Sequence, residues 1–371
     1  MDNLFSNGDS YISLLSRVVI EGYRGDFSHP ADDLDHLNTE LEQIAGLSEE
    51  QFSELLKLAD MHHVAVRALS VVQKLAAQQN KQRILDWCDT ALQSERARIW
   101  KAVEWLYAIV QALELNGCPV SVIKSLDHWP DLGSDLDLYT SGAPEQVVRV
   151  MQEKVKAHLE PRSWGDRLAN KWNFQVPGLN ELVEIHVRYL GQTGEQKLMA
   201  ARVLERGVTR TVNGRSFRVP APEERILIST LQRMYRHFYF RLCDIADIAT
   251  LVGIGAVDFA ELRRGAEIGG IWPGAASFLV IVARYVEQYG GFLPIPSEVV
   301  AAACSPDLQV QFRGNFLRVP MRPAAGLYGS QLLSAGRHGD FRAISRLPLL
   351  PPLAVSALVA YRLTGSDKGV W

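Results

Sequence analysis

The stretch from Cys118 to Thr140 constrains this chain most, because strand-forming, turn-forming and acidic residues follow one another there in a fixed order. Val120, Val122 and Ile123 make an apolar, β-branched run that predicts a strand. Lys124-Ser125 makes a tight turn, and Pro130 ends the short segment after it. Gly133-Ser134-Asp135-Leu136-Asp137-Leu138 predicts a second strand, in which residues two apart share a face. Asp135 and Asp137 then aim both carboxylates at one point, while Leu136 and Leu138 face a core. Converging carboxylates repel unless a cation lies between them, and a divalent metal with oxygen ligands is the usual answer. The simpler alternative is a Gly-Ser-Asp turn with both aspartates solvated at a strand end. An Asp-x-Asp alone does not choose between them.

A second acidic strand follows. Trp172 to Val176 and Leu182 to Val187 read as strands joined by the turn Pro177-Gly178-Leu179-Asn180. In the second, alternation puts Leu182, Glu184, His186 and Arg188 on one face and Val183, Ile185 and Val187 on the other. Glu184 is either a cross-strand partner of a basic residue or part of a site. Between these strands and the first pair, Pro144 starts a helix through Val155, and the polar residues 161 to 171 read as a loop.

The rest is predominantly helical. Apolar residues recur at helical spacing over Tyr11 to Val19, Phe52 to Asp60 and Glu95 to Leu115. Ser48, with Gln51 three residues on, makes a capping box for the second of these. His62-His63 follows, as a helix end or as ligands. Further on, Pro222 opens a long helix through Ile248. On it Arg233, His237, Arg241 and Asp244 share a stripe, either as an ion-pair ladder or as groups facing a ligand. Helices also fit Phe259 to Gly265 and Ala275 to Tyr289. The tail from Leu347 to Leu363 is apolar but broken by prolines, too short to span a bilayer, and expected to pack on the body.

Composition removes several classes of function. In 371 residues the net charge is −3, so coating nucleic acid is not the main task. The cationic run Lys197, Arg202, Arg206, Arg210, Arg215 and Arg218 is local. It fits a solvated helix and a hairpin at Asn213-Gly214, or a groove for a triphosphate or a nucleic-acid acceptor. The cysteines (Cys88, Cys118, Cys243, Cys304) form no Cys-x-x-Cys pair, which fits a reducing cytoplasm and gives no zinc signature. No signal peptide is evident at Met1 to Ser6, and the expectation is a soluble, cytoplasmic protein.

Taken together, residues 118 to 140 and Val183-Glu184-Ile185-His186 resemble the uncharacterised bacterial nucleotidyltransferase family of the DNA polymerase β-like superfamily. The superfamily's signature is an apolar residue, a small-residue turn, a gap, and then Asp-x-Asp. Here Lys124-Ser125 stands at the turn and nine residues separate Ser125 from Asp135. The helix ending at His62-His63-Val64 and the run His237 to Ala246 are similar to the family's helical regions as well.

The resemblance implies an α+β fold with a small mixed-sheet, polymerase β-like core at 116–219. Helical regions at 1–115 and 220–371 would flank it. It implies transfer of a nucleoside monophosphate from a nucleoside triphosphate to an acceptor hydroxyl on a small molecule, sugar, peptide or RNA. Asp135, Asp137 and Glu184 would be the catalytic residues and hold two Mg²⁺ ions. Lys124, Ser125, Gly133, Ser134, His186, His237 and Arg241 would bind the nucleotide, with the Ser125 backbone N–H cradling phosphate. The loop between turn and strand holds Asp127 and Asp131 and no arginine. That feature fits an alternative, a catalytically degenerate protein of the same fold that acts by binding.

Overall fold

The computed structural model describes residues 7–22, 34–305, 308–353, 355, 356 and 359. The stretch Met1 to Ser6 and the tail beyond Val359 lie outside them. The amino-terminal part is helical: α1 (Gly8–Glu21), α2 (Asn38–Ala45), α3 (Glu49–Met61), α4 (Ala65–Gln78) and α5 (Gln82–Leu115). The Ser48 capping box forms, with Ser48 Oγ accepting from the Gln51 N–H at 3.3 Å and Gln51 Oε1 accepting from the Ser48 N–H at 2.9 Å. The helix expected from Glu95 begins earlier, at Gln82, and runs 34 residues. At 1.5 Å per residue it is a rod of about 50 Å. Its buried residues, from Ile84 through Leu113, tie the helical layer to the sheet.

The sheet combines β1 (Val120–Val122), β2 (Asp135–Thr140), β3 (His158–Leu159), β4 (Lys171–Gln175) and β5 (Leu182–Val187) in the order β1-β2-β5-β4-β3. Only β2 and β5 run parallel; the other pairs are antiparallel. This gives a mixed sheet in an α+β chain. Parallel neighbours need a long crossover, and α6 (Pro144–Glu153), β3 and β4 supply it here. The stretch expected as a loop carries a helix, α7 (Trp164–Ala169), capped by Ser163 and Asp166 reciprocally at 3.0 Å.

α8 (Leu198–Glu205) leads to the hairpin of β6 (Val208–Val212) and β7 (Arg215–Val219), turning at Asn213 (φ 49°) and Gly214 (φ 73°). Two consecutive positive φ values are what a two-residue hairpin turn requires. The long helix expected from Pro222 does not form. α9 (Pro222–Gln232) loosens into a π-helical turn at Arg233–His237. The chain then reverses through Phe238 (φ 54°), pairs as β8 (Tyr239–Phe240) and resumes as α10 (Leu242–Gly253). The cause is tertiary: β8 pairs with β10 (Phe316–Arg318), which pairs with β9 (Gln311–Arg313).

α11 (Phe259–Ile268), α12 (Trp272–Gln288), α13 (Ser297–Ala302), α14 (Met321–His338) and α15 (Phe341–Arg346) complete the described chain. One apolar core runs from α1 through the sheet to α12. Of the described part of the tail, Leu347 is fully buried, while Leu349, Pro351, Pro352, Val355 and Val359 are exposed. Just before it, Arg346 donates to the carbonyls of Leu168 (3.0 Å) and Thr193 (3.2 Å). Among the described residues no helix is long and apolar enough to cross a membrane.

Candidate active site

The site grows from the turn at Lys124. The Ser125 N–H donates to Ile123 O at 2.6 Å, and Lys124 takes φ 60° and ψ −57°. That is a γ-turn with positive φ, a rare conformation for a residue with a side chain. Strained turns persist where surroundings hold them and cluster at functional sites. Here the hold is visible. Ser125 Oγ accepts from the Asp137 N–H at 2.7 Å and donates to Asp135 O at 3.3 Å, fastening the turn to β2. Ser125 is therefore beside the carboxylates, as expected, but its N–H is engaged within the turn, so cradling phosphate by that group is corrected.

Leu136 and Leu138 are fully buried, which leaves Asp135 and Asp137 on the opposite face, over the cleft. Glu184 stands in register with Asp137 across the parallel pair. Donor atoms of Asp137, Glu184 and His186 lie within 4.8 Å of one another. His186 Nε2 is 2.8 Å from Glu184 Oε1 and 3.8 Å from Asp137 Oδ1.

Three cationic or protonatable groups balance this cluster. Lys124 Nζ pairs with Asp137 and lies 3.8 Å from Glu184. Lys171 Nζ bridges Glu184 (2.8 Å) and Asp166 (2.9 Å), and His186 is the third. Burial alone would raise the Glu184 carboxyl, but Lys171, His186 and Lys124 hold it well below the ordinary range. Asp135 opens to solvent on one side. Even so, lost hydration on the other side and the nearby Asp137 and Glu184 charges push its carboxyl up to about 6. Asp135 thus carries the strain of the cluster.

Opposite the carboxylates is a cationic wall that the broken helix builds. Arg236, His237 and Arg241 line the cleft together with Gln232, Tyr239, His63 and His128. The expected stripe is not a helical ladder, yet its members still converge. Arg233 is buried against Asp244 at 2.8 Å, and Asp244 also accepts from the Arg241 N–H at 2.7 Å. Surrounding arginines and burial hold the His237 imidazole well below its usual value, hence neutral at pH 7. Gly133 and Ser134 lie at the cleft edge, where Ser134 Oγ is 3.5 Å from Asp135 Oδ2. A Cβ on Gly133 would meet His63 Cε1 at 2.9 Å, so a glycine there makes room for the imidazole. The cleft holds about 170 Å³ and adjoins a cavity of about 610 Å³ that shares His63, Gly133, Ser134 and Arg241 with it.

Several expectations are redirected. Arg188 does not join Glu184 and His186. With φ 66° it leaves the strand and donates to Gly142 O at 3.1 Å. Most arginines of the cationic run 197–218 are engaged by acids or carbonyls of the chain. Arg202 pairs with Glu224 (2.6 Å), Arg206 with Glu223 (2.8 Å) and Arg215 with Glu104 (2.9 Å), while Arg210 donates to Leu126 O at 2.6 Å. The two aspartates of the loop before β2 do not line the cleft. Asp127 pairs with Arg225 at 2.6 Å, and Asp131 accepts from the N–H groups of Val66 (2.6 Å) and Arg67 (3.2 Å) at the start of α4. His62 is a helix end: its Nδ1 accepts from the Leu242 N–H and its Nε2 lies against Asn315 O, both at 3.0 Å. Burial lowers its imidazole to about 3. Sequence reasoning missed Gln232, Arg236, Tyr239 and His128, which reach the cleft only because the helix breaks and the loop folds back.

The chain thus combines a mixed α+β fold with carboxylates on adjacent strands that face a wall of arginine and histidine side chains. A family model for uncharacterised nucleotidyltransferases matches residues 48–287, and the chain belongs to that family. No curated protein and no solved structure matches it.

Proposed function

We propose that this protein is a divalent-metal-dependent nucleotidyltransferase with a polymerase β-like core at 116–219 and flanking helical regions at 1–115 and 220–371. It would move a nucleoside monophosphate from a nucleoside triphosphate to an acceptor hydroxyl. The observation that carries the reading is the register of Asp137 and Glu184 on one face of the sheet, opposite Arg236 and Arg241. An all-oxygen set of three carboxylates suits Mg²⁺, and two ions suit in-line phosphoryl chemistry. Asp135, Asp137 and Glu184 would hold them. When bound, the ions neutralise charge that builds on the α-phosphate oxygens.

The chain's own groups do the remaining work. Arg236 and Arg241, with Lys124 once it turns from Asp137, bind the phosphates as charge-assisted donors. Neutral His237 adds a donor without adding charge, and Ser134 and Gly133 border the same space. Lys171 and His186 hold Glu184 in place at 2.8 Å each, which fixes the carboxylate toward the acceptor. The adjoining 610 Å³ cavity has the size of a small-ligand site and takes the nucleoside or the acceptor. In the reaction the acceptor oxygen bonds to the α-phosphorus, and the bond from that phosphorus to the bridging oxygen breaks. Pyrophosphate leaves with the electron pair, and the hydroxyl proton is lost toward the carboxylate floor.

The rival reading, a binding protein without turnover, rests on Asp127 and Asp131 and on the lack of an arginine in their loop. The two aspartates are engaged away from the cleft, while the loop does lack an arginine. Calorimetric titration of each non-hydrolysable triphosphate, with and without Mg²⁺, tests the nucleotide site on which the enzyme reading depends. Metal-dependent binding that Asp137→Asn loses supports the enzyme. Absence of any nucleotide binding at millimolar concentration overturns it.

A further inference from the structure

A second set of metal-binding donors sits at the other end of the same cleft. His63 follows the end of α3, His128 closes the 3₁₀ turn after Lys124, and Cys243 lies in the first turn of α10. One donor atom from each falls within 4.8 Å of the other two. We infer that His63, His128 and Cys243 form a binding site for a borderline-soft dication such as Zn²⁺, separate from the carboxylate cluster.

Four observations support this assignment. First, His128 Nε2 lies 3.9 Å from Cys243 Sγ. Zn–N and Zn–S bonds of roughly 2.0–2.3 Å at a tetrahedral angle separate two such donors by about 3.5 Å, so a small closing movement completes the pair. Second, His128 is already oriented as a ligand. Its Nδ1 hydrogen bonds to Asp247 Oδ2, and a carboxylate only accepts, so the proton sits on Nδ1 and Nε2 faces the thiol. Arg67 fixes Asp247 in turn, at 2.7 Å. A carboxylate behind a ligating imidazole is the usual outer support of a metal site.

Third, His63 Nδ1 is buried and has no hydrogen-bond partner. A buried imidazole nitrogen without a partner costs stability, and a metal relieves that cost. Fourth, His63 and His128 both line the cleft, whereas Cys243 is buried behind them. Three protein donors with one side open to a cleft leave a coordination position for water or substrate. Two imidazoles and a thiolate select Zn²⁺ over Mg²⁺, which prefers oxygen. Binding releases the Cys243 Sγ proton to solvent as the sulfur–metal bond forms.

Optical titration of the whole protein with Co²⁺ tests the site without reference to transfer activity, so it stands or fails apart from the proposed function. The expected result is a sulfur-to-cobalt charge-transfer band that saturates at one equivalent at this site, with tetrahedral visible bands, displaced by Zn²⁺. Cys243→Ser should remove the charge-transfer band and weaken Zn²⁺ at least about tenfold in a chelator competition, and His128→Asn should do likewise. Asp137→Asn and Cys304→Ser should leave the band intact. Circular dichroism establishes that each variant is folded. A folded wild-type protein without the band overturns the site, and so does a band that survives Cys243→Ser or vanishes with Cys304→Ser.

Discussion

Asp137 and Glu184 are register partners across the parallel β2–β5 pair, so two carboxylates leave neighbouring strands side by side. Like charges placed so closely destabilise a sheet unless a cation answers them. Lys124 and Lys171 give that answer within the chain, and His186 hydrogen bonds to Glu184 beside them. Under the proposed function, a dication would replace these internal ion pairs. In the Asp137→Asn variant, metal-dependent binding of a non-hydrolysable triphosphate should weaken at least tenfold, about 1.4 kcal/mol or more, by calorimetry. Binding in the absence of metal should change little.

Asp135 predicts a pH effect. Its carboxyl is raised to about 6 in the folded protein. A raised folded value means that the contribution to stability is present below the ordinary carboxylate range and is lost as pH rises through about 6. Near neutral pH, with a chelator present, Asp135→Asn should therefore melt higher than the wild type. Discounted for solvent at the open edge, a gain of about 2 °C is expected. In acid below the carboxylate range the two proteins should melt together, and a saturating divalent metal should reverse their order at neutral pH. Melting curves at both pH values check this.

Arg67 is buried between Asp131 and Asp247 and donates to the Trp129 carbonyl at 3.0 Å. Arg67→Met keeps much of the volume but leaves two buried carboxylates without their cation. Breaking a buried pair from one side costs about 3–5 kcal/mol. Chemical denaturation should show a loss of that order.

Arg236 offers a test of the cationic wall. It lines the cleft on the π-helical turn and faces the carboxylate strands. Arg236→Gln should lower affinity for a triphosphate about tenfold, the worth of one charge-assisted hydrogen bond. Affinity for the corresponding nucleoside should hold, because the loss falls on phosphate. Competition binding with the two ligands distinguishes them.

The carboxylate floor was legible because strand periodicity is local. Alternation put Asp135 with Asp137 on one strand and Glu184 with His186 on another, and the family resemblance, not alternation, brought the two pairs together. The cationic wall was legible only by residue type. Between Arg233 and Leu242 there is neither proline nor glycine, so nothing local marks a helix break. The break follows from Phe240 pairing with Leu317, a contact distant in sequence. The helix at Trp164 did leave a trace in Ser163 and Asp166, three residues apart as in a capping box. The destination of Asp127 and Asp131 left none, since their partners lie in α9 and α4.

Those two aspartates bear on how the chain can be cut. Asp127 is anchored to Arg225 and Asp131 to the first turn of α4, so the loop between the Lys124 turn and β2 is held from both flanking helical regions. A fragment trimmed to residues 116–219 would keep every carboxylate on the sheet and lose both anchors. The loop would then be free to swing its two negative charges toward the cleft, where they would repel a polyanion. The flanking helices thus hold the loop in place, and any fragment made to test the proposed site has to include them.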